Sequence, residues 1–285
     1  MAQETRSPER QRARVLITVK TYPNPSESHG EIVCVAGVRL DSEPKSWIRL
    51  YPMRFRTIDA DLRFRKYDII EIEIRKRDGR DLRIESYQPD QHTLRVVDHV
   101  NSDGRQWSRR RALIGSLMGA TSTCELIRAN PPGQMGFPAP SLGMIKPRVD
   151  AVQIDPGPAW TPNQRSKAMA ASAPPLFGVE IPMLEPMPFR LTYRYRCADT
   201  TCRGHVQQCL DWELGAAGRQ LLKQYEPAEA ETRLRESWER MMTDPRLDLH
   251  FFVGNQALRR RSFEVLGTWY PRSPSETTTD QLPLF

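Results

Sequence analysis

The chain has 285 residues, 24 of them proline, and its 42 Lys+Arg against 35 Asp+Glu give a formal net charge of +7 and a pI near 9.3. At about 150 residues per domain this length suggests one large domain or two small ones, with enough chain for a real core. No apolar run approaches the roughly 18–20 residues of a helical membrane span. The Arg-rich segment Met1 to Arg14 lacks the apolar stretch of a secretory leader, so a soluble cytoplasmic protein is expected.

In chain order, residues 1–13 read as a disordered basic arm. Arg14 to Lys20 is short and β-branched and predicts a strand. Tyr22 to Gly30 is dense in breakers and predicts a loop. Glu31 to Leu40 predicts a second strand, with Gly37 marking a bulge or a close backbone approach. Trp47 to Tyr51 follows, closed by Pro52. Ile70, Ile72 and Ile74 alternate with Glu71, Glu73 and Arg75, a half-buried strand pattern. Asp78-Gly79 is a hairpin signal, and Asp81–Tyr87 and Thr93–Val97 complete the set. This β-rich domain, 14–130, is expected to form an antiparallel barrel-like or curled sheet with one helix near Ser108–Ala120.

Residues 131–188 are rich in Pro and Gly and predict a segment wrapped over the core without regular structure, until a helix that Thr161 caps and Pro162 opens, ending near Ala173. From 189 to 271 an α/β part is expected. Phe189, Leu191, Tyr193 and Tyr195 alternate with Arg190, Thr192, Arg194 and Arg196 in a strand. His205–Tyr225 and Pro227–Met242 predict helices; Leu247–Val253 and Ser262–Tyr270 predict two closing strands. Residues 272–285 form a polar, disordered tail with an apolar tip. The fold class is therefore α+β.

The basic surplus is uneven. Arg54, Arg56, Arg63, Arg65 and Lys66 are interleaved with Phe55, Phe64 and Tyr67, Arg105, Arg109, Arg110 and Arg111 surround Trp107, and Arg259–Arg261 forms a third cluster. Arginine forks suit phosphate contacts and base stacking. With Arg194, these first two groups are the candidate nucleic-acid contacts; a set of solvated arginine faces is the alternative.

Cys197, Cys202, His205 and Cys209 are spaced C-x4-C-x2-H-x3-C. Thiolate and imidazole are the preferred ligands of structural zinc, which takes four in a tetrahedron. On the predicted helix His205 and Cys209 would share a face. A three-ligand set from Cys197, Cys202 and His205 completed from elsewhere, with His250 as a donor, is a variant. Cys34 and Cys124 read as isolated. With five cysteines in all, an odd and small number, a disulfide scaffold is not expected.

Asp211 and Glu213 stand beside this cluster and are the candidate catalytic carboxylates, able to hold Mg²⁺ or Mn²⁺ if the chain is a nuclease. Two apart on a helix they diverge. Structural roles are the competing reading: capping the helix, pairing with Arg219, or supporting His205. Asp68, Glu71 and Glu73 lack the lysine of a nuclease pattern, since position 75 is Arg. Phosphate-loop, dinucleotide-binding, serine-hydrolase and zinc-protease motifs are all missing from the sequence.

The chain ends in Gln281-Leu282-Pro283-Leu284-Phe285 behind the polar stretch Ser273 to Asp280. This pentapeptide resembles the bacterial sliding-clamp-binding motif, Q-L-x-L-F, at each specified position. The resemblance implies that Gln281 anchors by hydrogen bonds while Leu282, Leu284 and Phe285 fill apolar pockets on the clamp. It covers these five residues and implies nothing about the rest of the chain. Packing of this tip on the protein's own core is the competing reading. Three functions follow as expectations: a nucleoid-associated DNA-binding factor of replication, repair or genome maintenance tethered to the clamp; a clamp-associated metal-dependent nuclease or repair enzyme; and, more weakly, an RNA-binding protein.

Overall fold

A computed structural model describes residues 9–26, 30–54, 63–77, 81–134, 136–172 and 182–273. The predicted arm at 1–8, the Asp78-Gly79 turn, Arg56 and the tail peptide lie outside the described residues, as does the side chain of Arg105.

The architecture is mixed α+β. Its amino-terminal half is built from β1 (Gln11–Lys20), β2 (Asn24–Ser26), β3 (Gly30–Arg39), β4 (Ser46–Met53), β5 (Asp68–Lys76) and β6 (Ser86–His99). The sheet order is β1-β5-β6-β4-β3-β2, and β1 also pairs with β3, so five strands close into a barrel. All neighbours are antiparallel except β4 and β6, a closed Greek-key arrangement that leaves no free edge within the ring. The Ile70/Ile72/Ile74 alternation points inward, to a barrel core shared with Val15, Ile17, Val35, Ile48 and Leu50. Gly37 sits opposite Ile17 where the β1–β3 register shifts, and a Cβ there would lie 2.1 Å from the Leu16 carbonyl oxygen. Strand β1 starts at Gln11, so the basic arm is shorter than the sequence suggests, and Thr93–Val97 belongs to a longer strand, β6, that starts at Ser86, whereas residues 81–85 are not a strand.

The second half carries α1 (Ser108–Ile114), α2 (Thr123–Arg128), β7 (Leu142–Ile145), β8 (Arg148–Pro156), α3 (Pro162–Ala171), β9 (Phe189–Arg196), β10 (His205–Gln208), α4 (Trp212–Leu222), α5 (Pro227–Thr243), β11 (His250–Gln256) and β12 (Arg259–Trp269). Thr161 and Gln164 form a capping box on α3, which lies against β2 and β3. The Pro/Gly-rich stretch is more ordered than its breakers suggest. Its β7 pairs with β11 and its β8 with β9, because distant strands supply the hydrogen bonds. Two three-stranded sheets result, β10-β9-β8 and β12-β11-β7.

Three apolar cores separate these layers. One fills the barrel. A second lies between the barrel exterior and the β12-β11-β7 sheet, where Ala36, Val38, Leu142, Met144, Phe252 and Trp269 meet. The third gathers the inner face of β9 with Phe251, Val265, Leu214 and Leu234.

Candidate metal centre

The inward residues of β9 anchor the site. Leu191, Tyr193 and Tyr195 are fully buried, and Cys197 continues from the end of this strand. The chain then turns tightly. The Asp199 carboxylate accepts hydrogen bonds from the Thr201 backbone NH (2.8 Å) and hydroxyl (2.6 Å), and the Asp199 carbonyl accepts one from the Cys202 NH. Gly204 follows with φ +103°, a left-handed conformation that a side chain would strain, and its NH points at the Cys202 Sγ at 3.4 Å. His205 opens β10 directly opposite Tyr195. Cys197, Cys202 and His205 thus come from one hairpin.

The fourth donor is Cys124, in the first turn of α2. Ser122 and Glu125 close a capping box on this helix. Two ties fix it to the hairpin: Arg128 pairs with Asp199, and Thr123 shares a hydrogen bond of 2.8 Å with the Tyr195 hydroxyl, which donates to Gln207 at 2.7 Å. The Nε2 of His205 lies 3.5 Å from the Cys124 Sγ, 3.4 Å from Cys197 and 3.3 Å from Cys202. All four donor atoms fall within 4.8 Å of one another. Together they could hold a metal ion, and among the described residues this is the one such group.

The electrostatics suit a cation. Burial and the neighbouring Cys197 and Cys202 thiols push Cys124 up to about 12, so a bare cluster would resist forming several thiolates and a positive ion would relieve that resistance. Burial also raises Cys202, but the backbone NH groups around it bring the thiol below its ordinary value. Burial lowers His205, favouring the neutral imidazole that coordinates.

Two of the expected donors are elsewhere. Cys209 lies fully buried in the core around β9, where burial pushes its thiol up to about 12. The helix expected from His205 does not begin there: His205–Gln208 is a strand, with Gln207 turned inward to Tyr195, and the helix starts only after Asp211. Consequently His205 and Cys209 share no helix face. His250 is buried against Asp248 and takes no part. Nothing in its surroundings in the sequence marks Cys124; the signal available was that a chain with three clustered ligands needs a fourth.

Asp211 and Glu213 converge, though on an ammonium rather than toward a cation site. The Lys66 Nζ donates to Asp211 Oδ2 at 3.0 Å and to Glu213 Oε2 at 2.9 Å. Burial would lower Lys66, but the two carboxylates hold it well above its ordinary value. Asp211 also caps α4 by accepting from the Glu213 NH. Arg219 pairs instead with Glu185, and the hydrogen bonds of the His205 ring run to Cys124, Cys197 and Cys202. Lys20 lies over the Trp212 ring, 4.6 Å from its centroid, and burial brings it down to about 8.

The arginine clusters are largely consumed by the fold. Arg110 is buried, stacks over Tyr67 at 3.7 Å and donates to the Val100 carbonyl. Arg109 pairs with Asp98, and Arg111 with Asp248. Arg260 donates to Asn130 and to the Phe137 carbonyl, while Arg261 caps the end of α2 through the Ile127 and Asn130 carbonyls. Arg54, Arg63 and Arg65 are exposed, and so is Arg194.

Among the described residues no helix is long and apolar enough to cross a membrane. No curated protein matches the chain. Residues 11–116 match a family model described as a domain of unknown function (DUF8758), which ends just after the barrel and α1. The second match, over residues 119–285, takes in all four metal-site residues and covers more than half of the sequence, so the chain belongs to the family described as domain of unknown function (DUF8757).

Proposed function

We propose that this chain is a DNA-binding factor of bacterial replication, repair or genome maintenance, acting at the nucleoid in the cytoplasm, with structural zinc in its Cys/His centre and a sliding clamp as its partner. The observation that carries the reading is the terminal Gln281-Leu282-Pro283-Leu284-Phe285, which agrees with the clamp-binding pattern at each specified position. Tethering to a ring on DNA raises local concentration, so a modest DNA affinity of its own suffices. That matches a surplus of only +7.

Zinc is favoured by donor chemistry and distance. Three thiolates and an imidazole are soft ligands, poorly suited to Mg²⁺ or Ca²⁺. A tetrahedral ion with Zn–S of about 2.3 Å and Zn–N of about 2.0–2.1 Å needs S···N edges of about 3.6 Å. The edges here are 3.3 to 3.5 Å. A closed four-ligand set leaves no position for a substrate, which makes the role structural. The nuclease alternative is less well supported, because Asp211 and Glu213 both engage Lys66.

The test is surface plasmon resonance of the purified chain on an immobilised bacterial sliding clamp, beside a chain lacking residues 281–285. Saturable binding lost on truncation is expected, and Phe285→Ala should weaken it by about 30-fold, the scale of a hot-spot side chain. Equal binding by both chains, or by neither, overturns the clamp assignment.

A further inference from the structure

In a five-stranded Greek-key barrel the usual oligonucleotide surface is the face of the second and third strands. Here that face, on β3 and β4, is closed by the protein itself. Arg49 on β4 is buried and donates to the Ser141 carbonyl and hydroxyl at 3.1 and 3.3 Å. Trp47 packs edge-on against Phe252. Of the clustered arginines, Arg110, Arg111, Arg260 and Arg261 are likewise committed to internal partners.

One face escapes this. The β10-β9-β8 sheet buries one side under α5, where the Trp238 indole donates to the Tyr193 hydroxyl. Its other side carries Arg190, Thr192, Arg194 and Arg196 from β9, all exposed apart from the half-buried Thr192. The register sets Arg148 of β8 directly opposite Arg196. Like charges so placed destabilise a sheet, and an anion bound between them removes the penalty. Arg190 pairs with Asp155 at 3.3 Å and Arg196 only loosely with Asp150 at 3.8 Å. The Arg148 and Arg194 side chains have no hydrogen-bond or ion-pair partner among the described residues. At the knuckle end the face runs into a groove of about 420 Å³, lined by Lys146, Arg148, Arg196, Cys197, Asp199 and Cys202. The one acid there, Asp199, is already held by Arg128 and Thr201.

We infer that the outer face of β8–β9, with this groove, grips the sugar–phosphate backbone of DNA. The inference rests on the DNA-binding reading above and places its contact surface. Along a strand, Arg194 and Arg196 are about 6.6–6.8 Å apart, a step comparable to that between neighbouring phosphates. The outer residues of β8, β9 and β10 include no aromatic ring (Ala151, Gln153, Thr192, Val206 and Gln208 lie between the cations). The face therefore reads backbone charge and not stacked bases. The metal centre positions the surface: the hairpin it pins carries Arg196 up to Cys197 and orients the groove wall.

The test is fluorescence anisotropy with a labelled 20-base-pair duplex, without clamp, across a salt series. Four cations on phosphates give a slope of log K against log salt of about −3.6. Arg194→Gln with Arg196→Gln should bring it to about −1.8 and weaken binding on the order of 50-fold at 0.1 M salt, with zinc content and circular dichroism unchanged. Arg148→Gln, on the neighbouring strand, should remove about 0.9 from the slope. Arg233→Gln, on the exposed side of α5, should change nothing. Unchanged binding by the double variant overturns this surface and leaves the DNA-binding reading standing. No binding by the parent chain overturns both. Loss of zinc in the variants would show the arginines to be counter-charges for the metal centre, and tighter binding of an RNA duplex of the same length would reassign the face to RNA; either result overturns the inference.

Discussion

Replacing Lys66 by methionine keeps most of the side-chain volume and removes the charge that Asp211 and Glu213 share. The Lys66 side chain is 5% exposed, Asp211 3% and Glu213 50%. Glu213 can therefore rehydrate and adds little, whereas Asp211 is left as a buried, unpaired carboxylate. At 3.0 Å and an effective dielectric near 20 the lost attraction is about 5 kcal/mol. Breaking a buried pair from one side costs about 3–5 kcal/mol. A chain of 285 residues unfolding as one unit changes stability by about 0.6 kcal/mol per degree near its midpoint, so Lys66→Met should lower Tm by about 5–8 °C in differential scanning calorimetry. The double variant Lys66→Met/Asp211→Asn removes the stranded charge while Asn still caps α4, and should recover more than half of that loss. Burial raises Asp211, so the single variant's deficit should shrink as pH falls and the carboxyl takes up its proton, and grow again as pH rises. A Tm change below 1 °C, or a double variant no better than the single, would refute the assignment of this triad as an internal ion pair and reopen Asp211 and Glu213 to catalysis.

Other outcomes follow from the same structure. Inductively coupled plasma mass spectrometry should find about one zinc per chain, lost in Cys124→Ser and kept in Cys209→Ala; the reverse would restore the ligand set that the spacing suggests. Gly37→Ala forces a Cβ to 2.1 Å from the Leu16 carbonyl oxygen, so it should cost at least about 3 kcal/mol in urea unfolding, the upper range for overpacking. Asp81 is raised by burial but held at about 2 by the Arg83 fork, 2.8 and 2.7 Å away. Its folded value lies below the ordinary 3.8, so its contribution is present above pH 4 and lost as pH falls toward 2. That contribution is about 1–2 kcal/mol after allowing for solvent screening, and the urea midpoints of the parent and Asp81→Asn should converge over that window.

What could be read from the sequence was whatever a local period encodes. The Ile70/Ile72/Ile74 and Phe189/Leu191/Tyr193/Tyr195 alternations each mark a strand with one face in a core, and Thr161-Pro162 marks a helix start by its own chemistry. Strands β7 and β8 carry no such mark: β7 is short and buried throughout, β8 is mostly exposed, and both are ordered by partners far along the chain. The metal centre divides the same way. Three ligands sit in one hairpin and are visible as spacing, while Cys124 arrives through tertiary packing. A helical period after His205 would bring Cys209 to the same face, whereas strand β10 leads into Cys209 with its thiol in the core.

The arginines show why a run of basic residues does not by itself define a charged surface. Consecutive basic residues look like a patch in a sequence, but neighbours in a turn or strand point in different directions. Several cations instead brace the seam where the barrel meets the second half. Arg49 donates to Ser141, Arg83 to the Asn255 carbonyl at 3.2 Å and Lys66 to Asp211. A planar fork with several donors is well suited to satisfying carbonyls and carboxylates across such a seam. Lys66 and Arg83 are also matched by the carboxylates of Asp211 and Asp81, so they contribute little to the field an external polyanion meets. The surplus of +7 is then felt mainly where cations have poor or no internal partners, as on the proposed β8–β9 face, where Arg196 is only loosely paired. Its recognition depends on knowing which arginines are already spoken for, which is information held in tertiary contacts.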